Sequence, residues 1–141
     1  MFHIGHLNIL KNAKANCDYL IVGVSTDALV KSYKYQTPEY TQNERISIVQ
    51  AIKFVDKVVL QTTLDKNDAW KKYHFNMMFH GSDWKGTTLY DKIKENLLSV
   101  GVKTIFLPHT DGISTSLIKS KKCCKKIIIR LRFVCDGKRE N

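Results

Sequence analysis

The sequence predicts an α/β fold, a doubly wound parallel sheet with helices on both faces. Two observations carry this. Short β-branched apolar runs alternate with amphipathic stretches from the first residues to about residue 118. Each apolar run is followed by a polar loop, the pattern of strands joined by right-handed helical crossovers. At 141 residues the chain reads as one domain, residues 1–118, followed by a tail, residues 119–141.

In order, an amphipathic run with Leu7, Ile9, Leu10 and Ala13 predicts a helix over residues 6–16. Asp18 to Ser25 (DYLIVGVS) is continuously apolar and fits a buried parallel strand. Residues 26–40 contain Pro38 and predict a short helical turn, then a loop. Thr41 and Glu44 have capping-box spacing, and Ile46, Val49, Ala51, Ile52 and Val55 continue as a helical stripe. Lys57 to Leu60 predicts a strand, and residues 65–74 a helix with Ala69, Trp70 and Tyr73 inward. Phe75 to His80 predicts a strand ended by Gly81. Leu89, Ile93, Leu97 and Val100 mark a helix closed by Gly101. Lys103 to Leu107 is a strand ended by Pro108, and a last short helix is expected at Ser114 to Ile118.

A strand is expected before Met1, because the chain opens directly on a loop that a βα unit would place after one. The tail holds a β-rich run, Ile127 to Val134, interrupted by Arg130 and Arg132. It predicts disorder or an edge strand guarded by its arginines.

Charge sharpens the division. Of the net +10, residues from Lys119 onward carry +7, so the body is mildly basic. That suits small anionic substrates, and a solvated charge run in the tail is a weaker reason to expect nucleic acid. No apolar run is long enough to cross a bilayer as a helix. Cys17, Cys123, Cys124 and Cys135 lack metal-site spacing and predict reduced thiols in the cytoplasm, with no protein metal site.

Two stretches carry chemistry. In His3-Ile4-Gly5-His6, two imidazoles flank a glycine where a helix begins. Gly5 permits close backbone approach, and free N–H groups with the helix dipole favour an anion there. Two surface histidines at a chain terminus would look the same. In His109-Thr110-Asp111-Gly112-Ile113-Ser114-Thr115-Ser116, three hydroxyls converge after a glycine at the start of a helix. Plain capping needs one hydroxyl; a phosphate cradle uses all three.

Together these stretches resemble the cytidylyltransferases of the HxGH nucleotidylyltransferase superfamily, over Phe2 to about Ile118. Further matches are Val24-Ser25-Thr26-Asp27, Glu44-Arg45, Phe54-Val55-Asp56 and Gly81-Ser82-Asp83-Trp84. The resemblance implies a Rossmann-like fold and in-line transfer of CMP from CTP to a phosphorylated alcohol, with loss of pyrophosphate. It implies that His3 and His6 are catalytic, and that Ile4, Gly5 and residues 109–116 bind nucleotide. Lys34 and Lys66 would bind substrate phosphate, and ordinary exposed lysines are the competing reading. Asp27 and Asp83 would be structural or base-side contacts. Mg²⁺ would ride on the CTP phosphates. Trp84 behind Asp83 favours a glycerol-phosphate acceptor over a choline-phosphate type; phosphoethanolamine is a further candidate acceptor. A weakly active nucleotide-binding module is the alternative function. A homodimer is expected. The chain departs from the pattern in lacking the opening strand with its Gly-Thr-Phe-Asp loop, and in carrying His109 for an arginine and Gln36 for a lysine.

Overall fold

The computed structural model describes residues 2–35, 37–81, 86, 88–108 and 131–136, with the side chains of Leu89 and of 131–136 outside the description. Helix α1 (Ile4–Ala15) buries Ile9, Leu10 and Ala13. It starts two residues before the expected helix because His3 caps it. A short turn leads into β1 (Tyr19–Ser25), buried at every position but Tyr19. Helix α2 (Asp27–Lys34) is capped by the Thr26 hydroxyl and ended by Tyr35 at φ 55°. Helix α3 (Gln42–Gln50) carries the expected capping box, with Glu44 N–H donating to Thr41 Oγ1 at 3.3 Å and Thr41 N–H to Glu44 Oε2 at 2.8 Å.

Strand β2 (Lys57–Gln61) pairs parallel with β1. Helix α4 (Lys66–Tyr73) is capped by Asp65 and ended by His74 at φ 46°. Ala69, Trp70 and Tyr73 pack inward as expected. Strand β3 (Met77–Gly81) begins two residues later than the sequence suggests, with Phe75 buried ahead of it. Helix α5 (Thr88–Ser99) leads to Gly101, whose φ of 83° lets the chain turn into β4 (Lys103–Leu107). Val59 and Ile93 pack with Ile21, Phe75, Met78, Leu97 and Val102 on the α4/α5 face, while Ile9, Leu10, Ala13, Leu20, Val22, Val24 and Val49 pack on the α1/α3 face.

Three expectations are corrected. The helical stripes run past the helix ends: Ala51 is the exposed C-cap of α3, and Val100 is 41% exposed beyond α5. The sheet is not wholly parallel. Strand β5 (Leu131–Asp136) lies antiparallel to β1 and to β3, in the order β2-β1-β5-β3-β4. The tail segment is therefore an interior strand rather than an edge strand. Every backbone pairing between the β2-β1 and β3-β4 halves runs through it among the described residues, with Phe133 in register with both Val22 and Phe79. The expected helix at Ser114–Ile118 lies outside the described residues.

The topology fixes a ligand edge. The four remaining strands run in one direction, and α1 returns antiparallel to β1. The amino end of α1, the Thr26 cap, the loop after Gln61, Gly81 and Pro108 therefore share the carboxyl edge of the sheet. No helix among the described residues is long and apolar enough to cross a membrane.

Candidate functional site

The amino end of α1 is closed by two histidines that cap one another. Gly5 N–H donates to His3 Nδ1 at 3.1 Å, and His3 N–H donates to His6 Nδ1 at 3.3 Å. This is a capping box with imidazoles in place of the usual hydroxyl and carboxylate. A ring nitrogen that accepts from a backbone N–H carries no proton. In the neutral tautomer of each ring the proton therefore sits on Nε2. The ring centroids are 4.0 Å apart, and Phe2 stacks on His6 at 5.5 Å, anchoring the pair to the core. Gly5 makes the arrangement possible: a Cβ there would lie 2.8 Å from His3 Cε1 and 2.9 Å from Nδ1. Two Nε2–H donors at the positive end of a helix make a focus for a polyphosphate.

The loop leaving β1 is held by a buried arginine. Arg45, fully buried in α3, donates from Nε to Tyr40 O at 3.1 Å and from a terminal nitrogen to Ser25 O at 2.7 Å. Its other terminal nitrogen pairs with Asp27. Asp27 N–H also donates to Gln42 Oε1, and Gln42 N–H to Asp27 Oδ2, each at 3.1 Å. Asp27 is thus a structural tie. Sequence reading quoted Arg45 only as a motif match; its spacing of four from Val49 on the same helix face was the available clue.

At the opposite, amino edge, Asp56 pins β1. Burial alone would raise its carboxyl. Hydrogen bonds from Leu20 N–H at 2.7 Å and Lys14 Nζ at 2.6 Å, with the lysine charge, outweigh burial and hold it below the usual carboxylate value.

The two expected lysines are not alike. Lys66 opens α4 at the carboxyl edge and is 2% exposed, which rules out the ordinary surface reading for it. Lys34 closes α2, a full helix away from the Thr26 cap, and is half-buried. The structure brings His3, Gly5 and His6 together, with Ile4 exposed beside them. Residues 109–116, Gln36 and Asp83 lie outside the described residues. Strand β4 delivers the chain to Pro108 on the ligand edge immediately before them. Gln61 was missed in the sequence, and Ser25 was quoted only as a strand end and a motif match. Ser25 and Gln61 end β1 and β2 as buried polar residues, marked only by their position at the close of apolar runs. No cluster of three or more potential metal-binding side chains occurs among the described residues.

An open α/β sheet with a helix amino terminus and paired donors at its carboxyl edge has the layout of Rossmann-like nucleotide-binding proteins. A protein from Thermoplasma volcanium GSS1 described as a lipopolysaccharide core biosynthesis protein shares the fold, with a TM-score of 0.64 at 21% identity, over 78% of this chain and 88% of that one. The profile of the family described as cytidylyltransferase-like matches residues 1–121. A glycerol-3-phosphate cytidylyltransferase of Bacillus spizizenii is 36% identical over 120 residues, covering 84% of this chain and 87% of that one. An ethanolamine-phosphate cytidylyltransferase of Mus musculus is 42% identical over 103 residues, covering 67% of this chain and 24% of that much longer one. The chain belongs to the cytidylyltransferase-like family.

Proposed function

We propose that this protein transfers the cytidylyl group of CTP to glycerol 3-phosphate, giving CDP-glycerol and pyrophosphate. A phosphate oxygen of the acceptor forms a bond to the α-phosphorus of CTP. The bond from that phosphorus to the oxygen bridging to the β-phosphate breaks, and pyrophosphate leaves with the electron pair. The chain's part is to position both reactants and to stabilise charge developing on the triphosphate.

The observation that carries this reading is the interlocked His3–His6 pair at the amino end of α1, within a chain whose family match spans residues 1–121. The Nε2–H donors of His3 and His6 hold the triphosphate, with Ile4 and Gly5 beneath it and residues 109–116 completing the nucleotide site. Lys66 and Lys34 serve the substrate phosphates. Mg²⁺ rides on the CTP phosphates, because it favours phosphate oxygens and water over an all-protein cage. The enzyme works in the cytoplasm as a homodimer.

The test is pyrophosphate release with CTP, ATP, GTP and UTP against glycerol 3-phosphate, phosphoethanolamine and phosphocholine. Turnover specific to CTP and glycerol 3-phosphate supports the proposal. Turnover with ATP instead of CTP makes the protein an adenylyltransferase. A CTP-dependent rise in melting temperature without turnover makes it a nucleotide-binding module.

A further inference from the structure

A cavity lies on the α4/α5 face of the sheet, whereas the helix that carries the imidazole pair packs on the other face. It sits beneath α4, has a volume of about 100 Å³, and is floored by Gly23 and Val59, register partners on β1 and β2. Gly23 is the one glycine of β1 and is buried. A glycine inside a strand weakens it and often marks the close approach of a ligand. Here the missing side chain leaves the space that the cavity occupies.

Gln61 stands two residues beyond Val59 on β2, so it leaves the same face and lines the same cavity. It is 9% exposed, and its Oε1 has no hydrogen-bond partner among the described residues. Buried acceptors are nearly always satisfied, and an unmet one is costly. The cavity therefore calls for a guest that brings a donor.

The walls select the body of that guest. Tyr73 and Met78 line the cavity with a ring and a thioether. Aromatic rings pair edge to face, and a thioether sulfur sits favourably at a ring edge. An apolar cavity of ~150 Å³ holds one benzene. This one is of that order and has an open mouth, where Asp65, Asp68 and Lys72 are exposed. The mouth thus carries both signs of charge. Lys66, the charged group buried in the wall, already has an interaction partner. An ion would lose its hydration on entering with no consistent attraction in return, whereas a neutral ring loses little.

We infer that this cavity is a binding site for a small neutral aromatic molecule with one hydroxyl or N–H donor. Gln61 Oε1 accepts that donor, and the ring lies over Gly23 beside Tyr73 and Met78. The site is separate from the triphosphate site and does not depend on the reaction proposed above.

The experiment uses the full chain and two probes, phenol and benzene, one with a donor and one without. Binding is read by NMR titration of the probe and by the rise in melting temperature. Phenol should bind the wild type saturably and raise its melting temperature. Gln61→Leu should weaken phenol about tenfold and leave benzene as tight or tighter. Gly23→Val, which fills the floor, should abolish binding of both probes. Ala69→Leu, which fills the cavity from α4, should do the same and decides the matter if Gly23→Val does not fold. CTP should leave the affinity for phenol unchanged. No saturable binding of phenol to the wild type, as for a cavity that holds only water, overturns the inference. So does an unchanged phenol affinity in Gln61→Leu, binding that survives the filling substitutions, or displacement of phenol by CTP. The readout is binding alone, so failure of the proposed reaction leaves this test intact.

Discussion

The backbone N–H of His3 donates to His6 Nδ1 at 3.3 Å, so the ring of the second histidine is oriented by the residue that caps the helix. His3 in turn takes Gly5 N–H on its own Nδ1. One short turn therefore occupies the Nδ1 atom of both imidazoles and fixes the tautomer of the neutral rings. In the proposed reaction capping and phosphate binding use different nitrogens of the same ring, and this makes them separable by mutation.

His3→Asn keeps a good N-cap, because asparagine is among the best capping residues. Its melting temperature should stay close to wild type, while turnover falls about 10²–10³-fold from loss of one donor to the triphosphate. His3→Ala should lose the same turnover and, in addition, about 1 kcal/mol of stability. Thermal melts beside the pyrophosphate assay separate the two effects.

Gly5→Ala places a Cβ 2.8 Å from His3 Cε1, and the ring must swing away. The lost cap costs ~1 kcal/mol, and alanine in place of glycine within a helix returns ~0.5–1 kcal/mol. Stability should hardly change. Turnover should drop about 100-fold through misplacement of the imidazole. A large loss of stability with turnover intact would show that the ring position is unimportant to the reaction.

Arg45→Met removes a fully buried guanidinium that ties Ser25, Asp27 and Tyr40 together. Asp27 then loses its buried partner, and the expected cost is about 3 kcal/mol in urea unfolding. Asp27→Asn should cost less, because an amide oxygen still accepts from Arg45.

The Asp56 carboxyl is held below its usual value in the folded chain. A depressed folded value means that its stabilisation is present above the unfolded value, near 3.9, and is lost as pH falls through the folded one. Asp56→Asn should lower stability by about 1 kcal/mol at pH 7. The gap to wild type should close below about pH 4. A gap that stays constant down to pH 2.5 would contradict this account of the pin.

Local signals made most elements readable. The Thr41–Glu44 box, Gly101 and the run Lys103–Leu107 are each decided by neighbours in sequence, and each is where it was expected. The misses have non-local causes. Ala51 and Val100 kept the helical period after the helices had ended. Arg45 is a motif match in the sequence, and its buried role emerges only when Ser25 and Asp27 are brought to it. Leu131–Asp136 carries an arginine suited to an edge, and nothing local reveals that two half-sheets meet on it. Within the site, the imidazole pair was readable from its spacing, whereas the Ser25–Gln61 pair exists only through strand register.

That interior position has its own test. Phe133 pairs with Val22 on one side and Phe79 on the other, so Phe133→Pro removes a ladder donor from the middle of the sheet. It should lower stability by about 3 kcal/mol or more in urea unfolding of the full chain. An edge strand would tolerate the change.

The central claim is that the His3–His6 pair works on the triphosphate of CTP. Its most direct measurement is pyrophosphate release from CTP and glycerol 3-phosphate by wild type and by folded His3→Asn. The account predicts clear wild-type turnover that collapses at least 100-fold in the variant. Equal rates in the two proteins, at matched melting temperatures, would contradict it.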